Sequence, residues 1–329
     1  MVVVDTRLTL ADLPAPPPGK TGWPWTEQSQ PLPDRRPDGS AWPRISVVTP
    51  NFNNAAYIEE TIRSVLLQGY PNLEYFMIDG GSTDDSVAII QKYAPFLTDW
   101  VSEPDRGQSH AINKGLAKAT GDYVAWMNAS DYYFPNAFSN IFATLGRKDL
   151  IYSFAPGVQS FSLKYLLRFF YHTKYIVPSQ TVFVSQQLLG KVGFLREDLH
   201  YCMDLEWFAR MALQQPVAYY HPTLNACCQA HADSKTMRHA GKMRAEAIQI
   251  SREYAPNLAP MERRQLEKLI ELSNLFQTAQ FQDLTWKDLL QVMQGLPLEG
   301  WTDRRFLGLL KHELFKLVGV RSKSSVTES

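Results

Sequence analysis

Apolar and polar positions change period several times along this chain, and the changes mark out its elements. Between Arg44 and Asp131, three short apolar runs each give way to polar, turn-forming residues. Ile45-Ser46-Val47-Val48-Thr49 leads into Pro50-Asn51-Phe52-Asn53-Asn54, and Glu74-Tyr75-Phe76-Met77-Ile78 leads into Asp79-Gly80-Gly81-Ser82-Thr83-Asp84. Tyr123-Val124-Ala125-Trp126-Met127 leads into Asn128-Ala129-Ser130-Asp131. Runs of this length, bounded by turn residues, predict buried strands. Helical spacing fills the gaps. Ile58, Ile62, Val65 and Leu66 form an apolar face over 55–67, with Asn53 or Asn54 as the cap. Val87, Ile90 and Tyr93 do the same for a helix capped within 82–85. Residues 108–119 read as a third helix closed by Gly121, and Trp100-Val101 as a short strand between the two. The alternation predicts right-handed βαβ crossovers and a parallel sheet.

Further along, short strands over 150–154 and 181–184 mix with a helix over 204–213. Beyond His231 the period becomes purely helical, over 243–254, 260–281 and 286–293, with charged outer faces. Prolines crowd the first 43 residues and exclude a long helix or a central strand there, while Trp23, Trp25 and Trp42 predict an extended arm packing its indoles on the domain. The organisation expected is therefore an arm over 1–43, an α/β domain over 44–236 and a helical region over 237–329.

Composition narrows the partners. Lys+Arg and Asp+Glu are both 33, so no global charge attracts nucleic acid or an anionic membrane. Cys202, Cys227 and Cys228 form no CxxC pair and read as reduced cytoplasmic thiols. Asp5 and Arg7 interrupt the apolar start, which is unlike a signal peptide. No apolar run reaches the roughly 18 residues that a membrane span needs.

A row of polar strand ends falls on the carboxyl edge of the expected sheet, where open α/β sheets bind ligands. Asp79 there could accept hydrogen bonds from a nucleobase or ribose, with Gly80 and Gly81 allowing close backbone approach; the alternative is a plain strand-to-helix turn. Asp204 opens a helix, where the dipole favours an ionised carboxylate suited to act as a base; the alternative is an ordinary N-cap. Glu197 and Asp198 are its neighbours in sequence, and Glu206 should point away.

Five blocks in order give this chain a resemblance to the family-two inverting glycosyltransferases of GT-A fold. They are Val48-Thr49-Pro50-Asn51-Phe52-Asn53, Ile78-Asp79-Gly80-Gly81-Ser82-Thr83-Asp84, Ser102-Glu103-Pro104-Asp105-Arg106-Gly107-Gln108, Trp126-Met127-Asn128-Ala129-Ser130-Asp131 and Tyr201-Cys202-Met203-Asp204. The resemblance covers residues 44–236. It implies a GT-A type nucleotide-binding sheet of mostly parallel strands flanked by helices, with a C-terminal helical appendage. It also implies that Thr49, Pro50, Asn51, Asn53 and Asp79 line the nucleotide site, that Arg106 and Lys235 meet the donor's phosphates or sugar, and that Asp204 is the catalytic base. Asn128 and Ser130 take the place of the family's Asp-x-Asp motif, which holds a divalent cation (Mn or Mg) on the diphosphate. Ser130 departs from an acidic position, leaving Asp131, with His231 from Ala230-His231-Ala232-Asp233-Ser234-Lys235-Thr236, as the metal ligands; His110 departs from a position often occupied by Asp.

By this resemblance a sugar moves from a nucleotide diphosphate, a UDP-sugar first among donors, to an acceptor hydroxyl in polysaccharide or glycoconjugate synthesis. The altered motif leaves a non-catalytic nucleotide-sugar binding module as the alternative. A dehydrogenase is disfavoured because no GxGxxG follows a strand. The apolar connection over 156–178 reads as buried core, as a homodimer interface, or as contact with a lipid-linked acceptor at the inner face of a membrane; a carbohydrate acceptor is the other expectation.

Overall fold

The computed structural model describes residues 6–143, 146–153, 161–168, 177–223, 225–229 and 238–278. Its strands are β1 (Ile45–Asn51), β2 (Leu73–Asp79), β3 (Asp99–Ser102), β4 (Tyr123–Trp126), β5 (Tyr132–Tyr133), β6 (Leu150–Ser153), β7 (Phe183–Ser185), β8 (Ala218–His221) and β9 (Ala226–Cys227). Among the described residues, seven strands form one sheet in the order β3-β2-β1-β4-β7-β6-β8, and β5 pairs with β9 in a small second sheet. β1 runs parallel to β2 and β4, β2 to β3, and β6 to β8; β7 is antiparallel to both β4 and β6. The parallel sheet expected from the sequence is thus mostly parallel, with one reversed strand.

The helices are α1 (Ile58–Leu66), α2 (Ser86–Tyr93), α3 (Gln108–Lys118), α4 (Ala137–Phe142), α5 (Leu163–Leu166), α6 (Gln186–Val192), α7 (Met203–Leu213), α8 (Ala240–Tyr254) and α9 (Pro260–Thr278). The helical stretch expected over 286–293 lies outside the described residues. No described helix is long and apolar enough to cross a membrane. Contacts divide the described chain into two compact units. One holds the residues up to Leu166 and those from 177 to 246; the other holds Leu167, Arg168 and residues 247–278.

The central strands are covered on both faces, which is why they read as near-continuous apolar runs. Ile45 and Val47, Leu73, Tyr75 and Met77, and Tyr123, Ala125 and Met127 enter the main core with α1 and with Tyr70, Phe138, Phe142 and Phe183. The alternate residues face the other way. Val48 there meets α3 at Gly115, where even a Cβ would overlap the Val48 side chain. Trp126 meets Trp207 of α7 with ring centroids 5.2 Å apart.

The helix starts differ from expectation. Asn54 does not cap α1 through its side chain, which donates instead to the Phe52 carbonyl at 2.9 Å. Asp84 ties the turn before α1 to the start of α2: its Oδ2 accepts from Ala55 N at 2.9 Å and its Oδ1 from Ser86 N, the first residue of α2, at 3.0 Å. One carboxylate placed beside two helix starts satisfies amides that neither helix can.

The N-terminal arm is fastened through a buried cation. Arg63 on α1 is fully buried and donates to the carbonyls of Pro24 (2.9 Å), Pro14 (2.8 Å) and Trp25 (3.1 Å) and to the Tyr93 hydroxyl (3.0 Å). Tyr93 passes the interaction on, donating to Glu59 at 2.8 Å. Trp25 and Trp42 are buried, and Trp23 donates its indole N–H to the Tyr133 carbonyl at 2.8 Å. A proline-rich segment has few amides to satisfy, and its carbonyls suit a guanidinium with several donors in a fixed fork. Arg63→Ala should therefore lower stability by about 3 kcal/mol or more, since several hydrogen bonds to a charged group are lost inside the protein. Urea denaturation with limited proteolysis checks this; unchanged stability and an equally protected arm would remove Arg63 from that role.

Candidate active site

The parallel register brings the ends of three strands side by side, with Asn51 opposite Asp79 and Asp79 opposite Ser102. Asp79 is fully buried at their junction. Its Oδ1 accepts from Asn51 Nδ2 (2.6 Å) and Ser82 Oγ (2.5 Å); its Oδ2 accepts from Gly81 N (3.1 Å), Ser82 N (2.9 Å) and Ser102 Oγ (2.6 Å). Burial pushes this carboxyl up, but the bonds from Ser102, Ser82 and Asn51 outweigh it and leave it below the usual carboxylate range. The sequence offers Asp79 to a ligand; in the structure its oxygens hold the strand ends and the following loop. A nucleotide reaching it has to displace one of those donors.

Gly81 takes a left-handed φ of 82°, which wraps the loop back so that two successive amides face the carboxylate. Asn53 also has positive φ, at 52°; it is exposed, and its side-chain oxygen accepts from Thr83 N at 2.8 Å. Asn51 is oriented by Asp79, because a carboxylate requires the amide NH2 side. Its own oxygen is buried with no hydrogen-bond partner. Phe52, between them, is 58% exposed. Thr49 and Pro50, expected to line the site, are buried within the strand, and the Thr49 hydroxyl bonds to Tyr75 at 3.0 Å.

The Asn128–Asp131 segment follows β4 on the same edge, and alternation decides what it presents. Asn128 and Ser130 are half-buried, while Ala129 and Asp131 are buried. Asn128 accepts from Gln108 Nε2 at 2.8 Å. Asp131 faces inward and accepts from Asn128 Nδ2 (3.0 Å), the Gln180 side chain and the Gln229 amide (2.9 Å). The expectation of Asp131 as a metal ligand thus meets a carboxylate occupied in joining three segments. Among the described residues, no group of three His, Cys, Asp or Glu side chains is placed to hold a cation. The outward positions here are neutral amide and hydroxyl, a donor set that does not fit a resident divalent ion. His231 and Lys235 lie outside the described residues.

Arg106 projects from the loop before α3 and pairs with Glu197 through two nitrogens, at 3.0 and 2.5 Å. Glu197 also accepts from Asn113 at 3.4 Å. Its burial raises it, but these bonds prevail and keep it ionised below the usual range. Asp198 is likewise lowered by its bond from Arg196. Asp204 contrasts with both. It is half-buried at the start of α7, has no ion-pair partner among the described residues, and accepts the Leu205 amide at 2.8 Å. Desolvation pushes its carboxyl up to about 6, against the lowering by the Leu205 amide and with a further push from Glu246. The helix position was expected to keep Asp204 ionised; burial raises its carboxyl in spite of the dipole, and it is ionised above about 6. Glu206 points elsewhere, buried against Arg210 at 2.9 Å. The Trp126–Trp207 contact fixes the first turns of α7 to the end of β4, two residues before Asn128.

Ser82, Ser102, Gln180, Gln229 and Glu246 were not singled out by the sequence. The two serines sit inside recognised blocks, so their position was the signal. Gln180 and Gln229 stand in no pattern.

These features define an α/β domain whose polar strand ends gather at the carboxyl ends of β1, β2 and β4. Glycosyl transferase family 2 matches residues 46–190. An uncharacterised glycosyltransferase of Mycobacterium tuberculosis is 31% identical over 182 residues, covering 52% of this chain and 70% of that protein. The putative teichuronic acid biosynthesis glycosyltransferase TuaG of Bacillus subtilis is 38% identical over 92 residues, or 27% of this chain and 36% of that one. The chain belongs to glycosyl transferase family 2. Its fold is GT-A, as in S. aureus TarS 1-349 in complex with UDP-GlcNAc (TM-score 0.54, 17% identity, 87% of this chain and 95% of that chain). The mannosyltransferase PcManGT from Pyrobaculum calidifontis, in complex with GDP-Man and Mn2+, is similar (TM-score 0.51, 19% identity, 90% and 92%).

The geometry predicts how Asp79 contributes to stability. Its folded pKa is depressed, so its contribution is present above the unfolded value of about 3.9 and is lost as pH falls through the folded value. Asp79→Ala should cost about 2–4 kcal/mol at neutral pH, the scale of losing several bonds to a buried charge. The gap to wild type should narrow below about pH 4. Urea melts at pH 7 and pH 3 decide; an equal gap at both would show that the charge contributes nothing.

Proposed function

We propose that this glycosyltransferase is inverting, with Asp204 as the base. The observation that carries the reading is a half-buried carboxyl, free of any cation among the described residues and held near pH 6, on a helix packed against the donor edge. Above that pH it is ionised and a stronger base than an exposed aspartate. The acceptor hydroxyl gives its proton to Asp204 as its oxygen attacks the anomeric carbon. The bond from that carbon to the diphosphate breaks on the opposite face, and the electron pair leaves with the phosphate. One displacement inverts the centre without a covalent intermediate. Holding donor and acceptor together supplies much of the acceleration.

The donor is a UDP-sugar in this reading, supported by the fold's likeness to the UDP-GlcNAc-bound neighbour and by exposed Phe52, whose ring offers a base a stacking face beside the unpartnered Asn51 oxygen. Arg106, released from Glu197, and Lys235 by resemblance, meet the diphosphate. A carbohydrate or lipid-linked acceptor in polysaccharide synthesis fits the teichuronic acid relative. The neutral pair Asn128 and Ser130 favours one second reading, a nucleotide-sugar binding module without transfer.

Thermal stabilisation by a nucleotide-sugar panel identifies the donor, and transfer is then measured. Asp204→Asn should keep donor binding but lose about 10²-fold or more of the rate, the scale of removing a general base. Transfer near the wild-type rate in that variant would sink the mechanism, and a wild type that binds donor without turnover would favour the binding module.

Charge at the diphosphate gives a separate prediction. Calorimetry should find wild-type nucleotide affinity nearly insensitive to EDTA, whereas Ser130→Asp should make it rise with Mn2+ by about tenfold, since a hard cation needs an oxygen anion from the protein beside the phosphates. Strong loss of wild-type affinity on chelation would instead show that a cation is held there already.

A further inference from the structure

The backbone entering the helix of Asp204 is gripped from outside that helix. His200, Tyr201 and Cys202 present three consecutive amides to one carboxylate, Glu246 on α8. His200 N reaches Oε1 at 2.9 Å, and Tyr201 N and Cys202 N reach Oε2 at 2.7 and 2.6 Å. Cys202 Sγ adds a bond to the Met243 carbonyl at 3.3 Å, and the Tyr201 ring meets His239 edge-on at 5.6 Å. Converging amides ahead of a helix are the arrangement that ordinarily binds a foreign anion. Here the anion is the protein's own side chain, so the site is filled from within the fold.

Cys202 is the residue immediately before α7, and Asp204 lies two positions on. Where Glu246 holds the Cys202 amide therefore determines where the Asp204 carboxyl is carried. We propose that Glu246 is a positioning residue for the base: it fixes 200–202 so that Asp204 meets the acceptor hydroxyl. This rests on the reading of Asp204 as base.

The groups that bear on Asp204 among the described residues are few. Glu246 acts from α8, and the Cys202 thiol is pushed up by burial and by both carboxylates, so it stays protonated. α5 and α6, which pack on α7, carry Lys164 and Lys191, and Lys164 lies over the ring of Tyr165. Burial supplies the larger part of the upward push on Asp204 and Glu246 the electrostatic part.

Full-length wild type, Glu246→Gln and Asp204→Asn, labelled with [13C]aspartate, test this by NMR titration, with the Asp204→Asn spectrum assigning the resonance. The wild-type signal should titrate near 6. In Glu246→Gln the midpoint should fall by about half a unit or more, because a nearby like charge is gone. Hydrolysis of UDP-N-acetylglucosamine, or of the best donor from the panel, should show kcat about tenfold lower with little change in KM, the mark of a group acting on the chemical step. The acid limb of the pH profile should move with the NMR midpoint. If the Gln variant does not fold, Glu246→Asp decides: it keeps the charge but, one methylene short, cannot reach all three amides, so kcat should fall with the midpoint unchanged. An unmoved midpoint in a folded Gln variant, or an unchanged kcat in the Asp variant, overturns the role of Glu246. Full activity in Asp204→Asn would instead overturn the base assignment itself, a distinct result.

Discussion

A single buried carboxylate ties together the ends of three parallel strands. Parallel strands finish in unpaired backbone and must turn back over the sheet, and nothing in the ladder itself dictates how. Asp79 supplies the missing constraint, taking Asn51 from β1, Ser102 from β3 and the two loop amides that follow β2. Five donors around one anion keep it ionised in a dry place, where an unpaired charge would be strongly unfavourable. Everything that faces a ligand on this edge, from Asn53 to Ser82, is set by that junction.

The same logic, applied at two other points, produces opposite outcomes. Asp131 is buried and satisfied by neighbouring amides, so its charge is absorbed into structure and the outward face of its segment is neutral. Asp204 is desolvated and accepts from the Leu205 amide with no side-chain donor recorded among the described residues, so its charge is only weakly supported and its proton affinity rises. Three aspartates in one domain thus differ by the number of donors around each.

Charge outside the core follows a plainer rule. Arg106 and Glu197 form an exposed pair that contributes little to stability, as surface ion pairs do. In the proposed reading it places a guanidinium that can change partners at small cost. Arg63 is the contrary case, a cation so deeply buried that it serves only to hold the arm.

Much of the fold was legible in the residues. The strands leading into Asn51 and Asp79, the helix running into Leu213 and the βαβ order of the sheet follow from local period and turn chemistry, because short buried strands and amphipathic helices write their burial directly into neighbouring positions, while the GT-A assignment came from resemblance. The blocks around Asp79 and Asp204 were visible for the same reason. The direction of each side chain was not. Whether Asp131 points out or in depends on Gln180 and Gln229, 49 and 98 positions away in the chain. The hold of Asp84 on the turn before α1 and the grip of Glu246 on 200–202 likewise join segments distant in sequence. Hydrogen-bond satisfaction is a property of the packed interior, so only the tertiary structure could decide which carboxylates are tied up by the protein's own donors and which are left with few.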